Sequence, residues 1–186
     1  MRRQVLFVQG AGPRVHDEWD DKLVASLARE LGPEYEVRYP RMPGEDDPDA
    51  AAWKAALRHE LAALDDGAIV VGHSVGGTIL IDAVADAPRA SALGAVVLVS
   101  TPFVGEGGWP SDVGPSSDGI GARLPRDVRV HLFHGLADDE VPPSHAELYA
   151  RAIPQATLHR LPDRDHQLND DLREIAEIIR ALPAEG

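Results

Sequence analysis

The residues best suited to chemistry are Gly72-His73-Ser74-Val75-Gly76, a G-x-S-x-G run. A serine hydroxyl is a weak nucleophile. It becomes useful where a strand ends just before it and a helix begins just after it, because the sharp turn lifts the hydroxyl above the sheet at the positive end of the helix dipole. Glycines on either side leave room for the strand and helix to pack closely. The letters alone do not settle the matter, since a serine that only caps a helix can sit in the same run.

A nucleophilic serine also needs a base, and the base needs an orienting acid. Both follow in order. Asp138 lies in His134-Gly135-Leu136-Ala137-Asp138-Asp139-Glu140-Val141-Pro142, and His166 in Asp163-Arg164-Asp165-His166. The neighbouring carboxylates Asp139, Glu140, Asp163 and Asp165 compete for the acid's place and read as solvated loop charges. His73 is expected to turn its side chain away from the Ser74 hydroxyl, while His145 and His159 read as surface or packing residues. Two backbone N–H groups must meet a developing oxyanion. Val75, next after the serine, supplies one; the loop Gln9-Gly10-Ala11-Gly12 supplies the other, with Ala11 the expected donor. That loop is not a dinucleotide fingerprint, because Val15 stands where G-x-G-x-x-G requires glycine and no acidic residue closes the second apolar run at Tyr39. No metal site is expected. On a strand, His131 and His134 face opposite ways, and Asp163, Asp165, Asp170 and Asp171 lack the spacing of a calcium loop.

These side chains need a frame. Apolar runs at Val5–Val8, Tyr35–Tyr39, Ala68–Val71, Ala95–Val99, Val128–Phe133 and Thr157–His159 have the length and continuity of buried parallel strands. Between them apolar residues recur at helical spacing: Trp19, Leu23, Leu27 and Leu31; Trp53, Leu57, Leu61 and Leu64; Ile79, Leu80, Ala83 and Val84; a stretch from His145 to Ala152; and Leu172, Ile175, Ala176 and Ile179. The alternation predicts a three-layer α/β sandwich with a mostly or wholly parallel sheet of about six strands. Residues 101–126 break the rhythm. This Gly-, Pro- and Ser-rich segment follows the fourth strand, where a long loop would overlie a ligand crevice; a mobile surface excursion is the alternative. Phe103 and Trp109 within it are candidates to line an acyl pocket, with burial in the core or chance exposure as the alternative for each.

The chain has 186 residues, enough for one core, and a single domain over residues 1–186 is expected. It has no cysteine, which excludes disulfides, thiolate metal sites and a cysteine nucleophile. A net charge of −13 disfavours nucleic acid and anionic membranes as partners. Four apolar residues after Arg2 and Arg3 are too few for a signal peptide, so cytoplasmic residence is expected.

Gly72–Gly77, the His-Gly-x-x-Asp-x-x-Val-Pro run at 134–142 and the late Asp165-His166 resemble the α/β-hydrolase superfamily across most of the chain. The short length, Trp19, the Pro40-Arg41-Met42-Pro43 turn and Trp53 resemble, more narrowly, the small serine hydrolases related to retinoblastoma-binding protein nine and the bacterial YdeN proteins. Many relatives have His-Gly where this chain has Gln9-Gly10. The resemblance implies a minimal fold without a separate cap domain, no cofactor, and a small-molecule acyl substrate. It assigns Ser74 as nucleophile, His166 as general base, Asp138 as orienting acid, and Val75 and Ala11 as oxyanion donors. A carboxylesterase-like activity is expected. Thioesterase or amidase activity with the same triad stays open, as does a catalytically idle fold acting as a protein-interaction module. Nothing in the residues names a protein partner.

Overall fold

The computed structural model describes residues 2–183. Six strands, β1 (Arg3–Val8), β2 (Tyr35–Arg38), β3 (Ile69–His73), β4 (Ala95–Val99), β5 (Val130–Gly135) and β6 (Ala156–Leu161), form one sheet in the order β2-β1-β3-β4-β5-β6. Every pairing is parallel. The helices are α1 (Asp20–Leu31), α2 (Ala50–Ala62), α3 (Ser74–Ala85), the short α4 (Ile120–Arg123), α5 (Ser144–Ala152) and α6 (Arg173–Ala181).

Strand residues alternate between two cores, because successive side chains leave opposite faces of a sheet. Val5, Phe7, Ile69 and Val71 pack with Leu23 and Leu27 of α1 and Ile175 and Ile179 of α6. Leu6, Val8 and Val70 pack with Trp53 and Leu57 of α2, Ile79 and Leu80 of α3, and Tyr149 of α5. The connectivity accounts for this division. The chain moves from β1 outward to β2, then crosses back to β3 on the other side of β1. With crossovers of one hand, reversing the direction of travel moves the connecting helix to the opposite face. The reversal also parts the loops after β1 and β3, opening a crevice at the carboxyl ends of these two strands.

Local sequence reinforces the plan. Asp49 caps α2, its Oδ1 accepting the Ala52 N–H at 2.7 Å, a contact worth about 1 kcal/mol. Trp53 is fully buried, and its indole N–H donates to the Pro43 carbonyl at 2.6 Å, tying α2 to the turn after β2. Among the described residues no helix is long and apolar enough to cross a membrane.

Residues 101–126 correct the expectation of a loop above the crevice. The segment folds down against α3 and α5 instead. The Pro102 carbonyl accepts from the Thr78 hydroxyl at 2.7 Å and from the Tyr149 hydroxyl at 3.0 Å. Ser117 N donates to the Val104 carbonyl at 2.7 Å, and its hydroxyl meets that of Tyr149 at 2.9 Å. Arg123 of α4 pairs with Asp82 of α3 and with Asp86 just after its end. Side-chain bonds to backbone replace the repeating ladder whose absence made the segment look unstructured.

Candidate active site

At the end of β3 the chain turns directly into α3, and Ser74 takes a left-handed backbone conformation with φ 51°. Such a conformation costs a non-glycine residue about 1–3 kcal/mol and persists only where surrounding packing enforces it. The packing here is close. A Cβ at Gly76 would lie 1.8 Å from the Gln9 carbonyl oxygen, and one at Gly72 would lie 2.6 Å from the Gly77 Cα. The glycines therefore let α3 seat against the β1 loop and against β3. Ser74 remains partly open to solvent.

His166 follows β6 and is buried, its Nε2 3.1 Å from the Ser74 Oγ. Its Nδ1 lies 2.9 Å from Asp138 Oδ2. The other oxygen of Asp138 accepts the backbone N–H groups of Glu140 at 3.0 Å and Val141 at 2.8 Å. His134 Nε2 stands between the Val141 carbonyl at 2.9 Å and Asp138 Oδ2 at 3.2 Å. Burial alone would raise the Asp138 pKa. Hydrogen bonds from His134 and His166, the charge of His166 and the Val141 N–H outweigh it, holding the carboxyl well below the usual range.

The structure thus brings Ser74, His166 and Asp138 into one chain of hydrogen bonds. Asp139 is exposed, and Glu140 reaches the mouth of the site, its Oε2 3.8 Å from His166 Nε2. Asp165 secures its own loop by accepting the Asn169 N–H at 2.7 Å, while the Asn169 carboxamide accepts the Asp165 N–H at 3.0 Å. Leu168, Asn169 and Asp170 are all left-handed, so this clasp fixes the tight turn that follows His166.

Val75 lies in the first turn of α3, where backbone N–H groups have no partner within the helix. Ala11 lies across the cleft, in a loop anchored on both sides. Gly10 N donates to Asp20 Oδ2 at 2.7 Å, and Gly12 N to the Glu45 carbonyl at 2.7 Å. The buried Gln9 carboxamide adds a further tie, accepting the Met42 N–H at 3.0 Å and donating to Glu45 at 2.6 Å. Gln9 therefore helps build this loop from within.

The cleft over Ser74 has a volume of about 240 Å³, and its apolar wall is Pro13, Val15 and Trp19. Two expectations are corrected here. Phe103 packs edge-on against Tyr149 inside the core, and Trp109 packs against the His145 ring; neither lines the cleft. Trp19, read as the first member of a helical stripe, instead lies in the turn before α1, is 50% exposed, and borders the cleft. A larger hollow of about 440 Å³, bordered by Arg58, Leu61, Pro88 and Leu93, lies at the opposite edge of the sheet. It contains none of these groups, so size is a poor guide to the site.

A second pair lies directly beneath the first. His73 Nδ1 is 3.0 Å from Asp20 Oδ2, and both residues are buried. Burial pushes the His73 pKa down, but the Asp20 carboxylate beside it more than compensates and holds it above the ordinary value. Burial likewise raises Asp20, and His73 with the Gly10 N–H brings it below. The expectation that His73 faces away from the Ser74 hydroxyl agrees with these contacts, but its partner was missed. The signal was present: position 20 lies three residues before Leu23, on the buried stripe of α1, where an aspartate requires a partner. Among the described residues no cluster of histidine and carboxylate side chains could hold a metal ion.

Residues 5–128 match the model of the alpha/beta hydrolase family. Over 164 residues the chain is 30% identical to a pimeloyl-[acyl-carrier protein] methyl ester esterase of Xanthomonas campestris pv. campestris, covering 85% of this chain and 64% of that protein. The corresponding protein of Xanthomonas oryzae pv. oryzae is 29% identical over 166 residues, with 86% and 65% covered. The chain thus spans just under two thirds of these relatives. Among solved structures, the ydeN gene product of B. subtilis superposes with a TM-score of 0.75 at 19% identity, covering 96% of this chain and 97% of that one. The esterase RhEst1 from Rhodococcus sp. superposes with a TM-score of 0.74 at 16% identity, covering 98% and 92%.

Proposed function

This chain belongs to the alpha/beta hydrolase family, and from that premise we propose that it is a serine hydrolase that cleaves small carboxylic esters through an acyl-Ser74 intermediate. The observation that carries this reading is the continuous chain Ser74 Oγ, His166, Asp138, with links of 3.1 and 2.9 Å, at the carboxyl edge of the sheet. His166 Nε2 takes the Ser74 proton as the oxygen attacks the ester carbonyl. The tetrahedral oxyanion lies between the N–H groups of Val75 and Ala11. His166 then returns the proton to the departing alcohol, and a water deprotonated by the same nitrogen releases the acid and regenerates Ser74. Asp138 sets the tautomer and orientation of His166, and its own rotation is blocked by the two backbone N–H groups on Oδ1.

The cleft also bears on substrate charge. Among the described residues lining it there is no lysine or arginine, and Glu140 is its one carboxylate. An uncharged ester with an apolar portion against Pro13, Val15 and Trp19 suits that lining best. The esterase names of the relatives favour esters over the thioesters and amides that the same groups could attack. An idle interaction module would be favoured by a His166 out of reach of Ser74, which is not the arrangement here.

The test is release of p-nitrophenol from a neutral short-chain p-nitrophenyl ester. Wild type is expected to turn over, and folded Ser74→Ala to lose about 10⁵-fold or more in kcat. Equal turnover by the two proteins would overturn the reading.

A further inference from the structure

The proposed reaction makes no chemical use of His73 or Asp20, yet they are the most deeply buried ionisable pair beside the site. His73 is 1% exposed and Asp20 fully buried. Both ring nitrogens of His73 face groups that can only accept: Asp20 Oδ2 at 3.0 Å from Nδ1, and the backbone carbonyl of His166 at 3.2 Å from Nε2. A neutral imidazole carries one N–H and could satisfy only one of them; an imidazolium satisfies both. The same Asp20 oxygen accepts the Gly10 N–H at 2.7 Å.

One path therefore runs from Gly10 through Asp20 and His73 to His166. It crosses the loop after β1, the start of α1, the end of β3 and the loop after β6. These segments carry, or directly precede, the proposed oxyanion donor Ala11, nucleophile Ser74 and base His166. Removing two charges from water is costly, and an apolar pair of similar volume would fill the space more cheaply. It could not, however, give the Gly10 N–H and the His166 carbonyl directional partners.

We propose that Asp20 and His73 form a positioning pair for acyl transfer, an ion pair that sets the β1 loop and the His166 loop at fixed distances from Ser74. The proposal rests on the serine-hydrolase reading given above. Both side chains are all but excluded from the cleft surface, and each acts through the backbone of the loop it holds. Closest to the pair in charge and position are the His166 ring, centred 4.9 Å from that of His73, and Asp138 behind it. Gln167 also reaches Asp20.

The experiment compares Asp20→Asn, His73→Gln and the double variant with wild type in neutral-ester turnover, with folding checked by circular dichroism. A displacement of the order of 1 Å between reacting groups costs about 100-fold in rate, so kcat should fall by that order. KM should stay within about twofold, because the apolar wall of Pro13, Val15 and Trp19 is unchanged and the His73 side chain is all but excluded from the cleft surface. The double variant should be no slower than the slower single one, since breaking either end breaks the same path. Folded single variants that keep the wild-type kcat, or a double variant whose losses multiply, would overturn the proposal. If wild type itself neither turns over nor reacts at Ser74, the hydrolase reading fails first, which is a distinct result. Should the variants not fold, ¹⁵N spectra of wild-type His73 decide: both ring nitrogens should be protonated at neutral pH, and a single protonated nitrogen would overturn the proposal.

Discussion

Two regions of the molecule hold histidines side by side, and His73 in one and His131 in the other shift in opposite directions. At the carboxyl edge of the sheet, His166 and His73 each have an aspartate on Nδ1. Lower on the same sheet, on β5 and β6, His131 Nδ1 meets His159 Nε2 at 3.1 Å with no carboxylate between them. Burial dominates there, helped by the two neighbouring bases His159 and Arg129, and the His131 pKa falls to about 4. His159 is also lowered by burial. For His73 the same penalty is overcome by Asp20. What separates the two regions is the carboxylate partner: Asp20 and Asp138 stand beside the crevice histidines, and none stands between His131 and His159.

The largest effect should come from abolishing this difference at the site. Asp138→Asn leaves His166 with a partner of similar shape and no charge, so kcat should drop roughly 10³- to 10⁴-fold in a neutral-ester assay, less than the loss in Ser74→Ala. An unchanged kcat in the folded variant would mean that Asp138 is not the orienting acid.

A smaller effect is expected at the mouth of the crevice. Glu140 lies near His166 Nε2 without sharing the buried pairs, and its repulsion of an anionic substrate acts through solvent. Glu140→Gln should raise kcat/KM for a carboxylate-bearing half-ester about threefold relative to its neutral counterpart, and added salt should shrink that ratio. If the ratio stays fixed, Glu140 does not select by charge.

The smallest effect concerns stability, and here the two regions have opposite signs. His131 is held below its unfolded value of 6.5, to about 4. Between these values the unfolded chain binds more protons, so stability falls as pH drops from 6.5 towards 4. His131→Gln should make that fall shallower in denaturant titrations across the window. His73 is raised, so its contribution is complete below 6.5 and is lost only as pH climbs through its folded value. A His131→Gln protein with the wild-type acid slope would break the contrast.

Much of this arrangement could be read from residue order. The six apolar runs became six parallel strands because continuous Val, Leu and Ile leave little choice where helices cover both faces. Ser74, Asp138 and His166 stood out because each follows such a run. Trp19 misled because the fourfold spacing that continues through Leu31 extends back across a turn that is not α-helical. Phe103 and Trp109 misled because the bonds holding their segment come from Thr78, Ser117 and Tyr149, side chains with no periodic signature. Asp20 was legible in principle, as a charge on an apolar stripe, but its partner lies 53 residues away.

The most direct test of the central claim is labelling by a fluorophosphonate, which reacts with serines activated by a neighbouring base. Wild type should gain one adduct, with the modified peptide containing Ser74, while folded Ser74→Ala should gain none. A folded wild type that stays unlabelled, or a Ser74→Ala protein labelled at the same rate, would contradict the account.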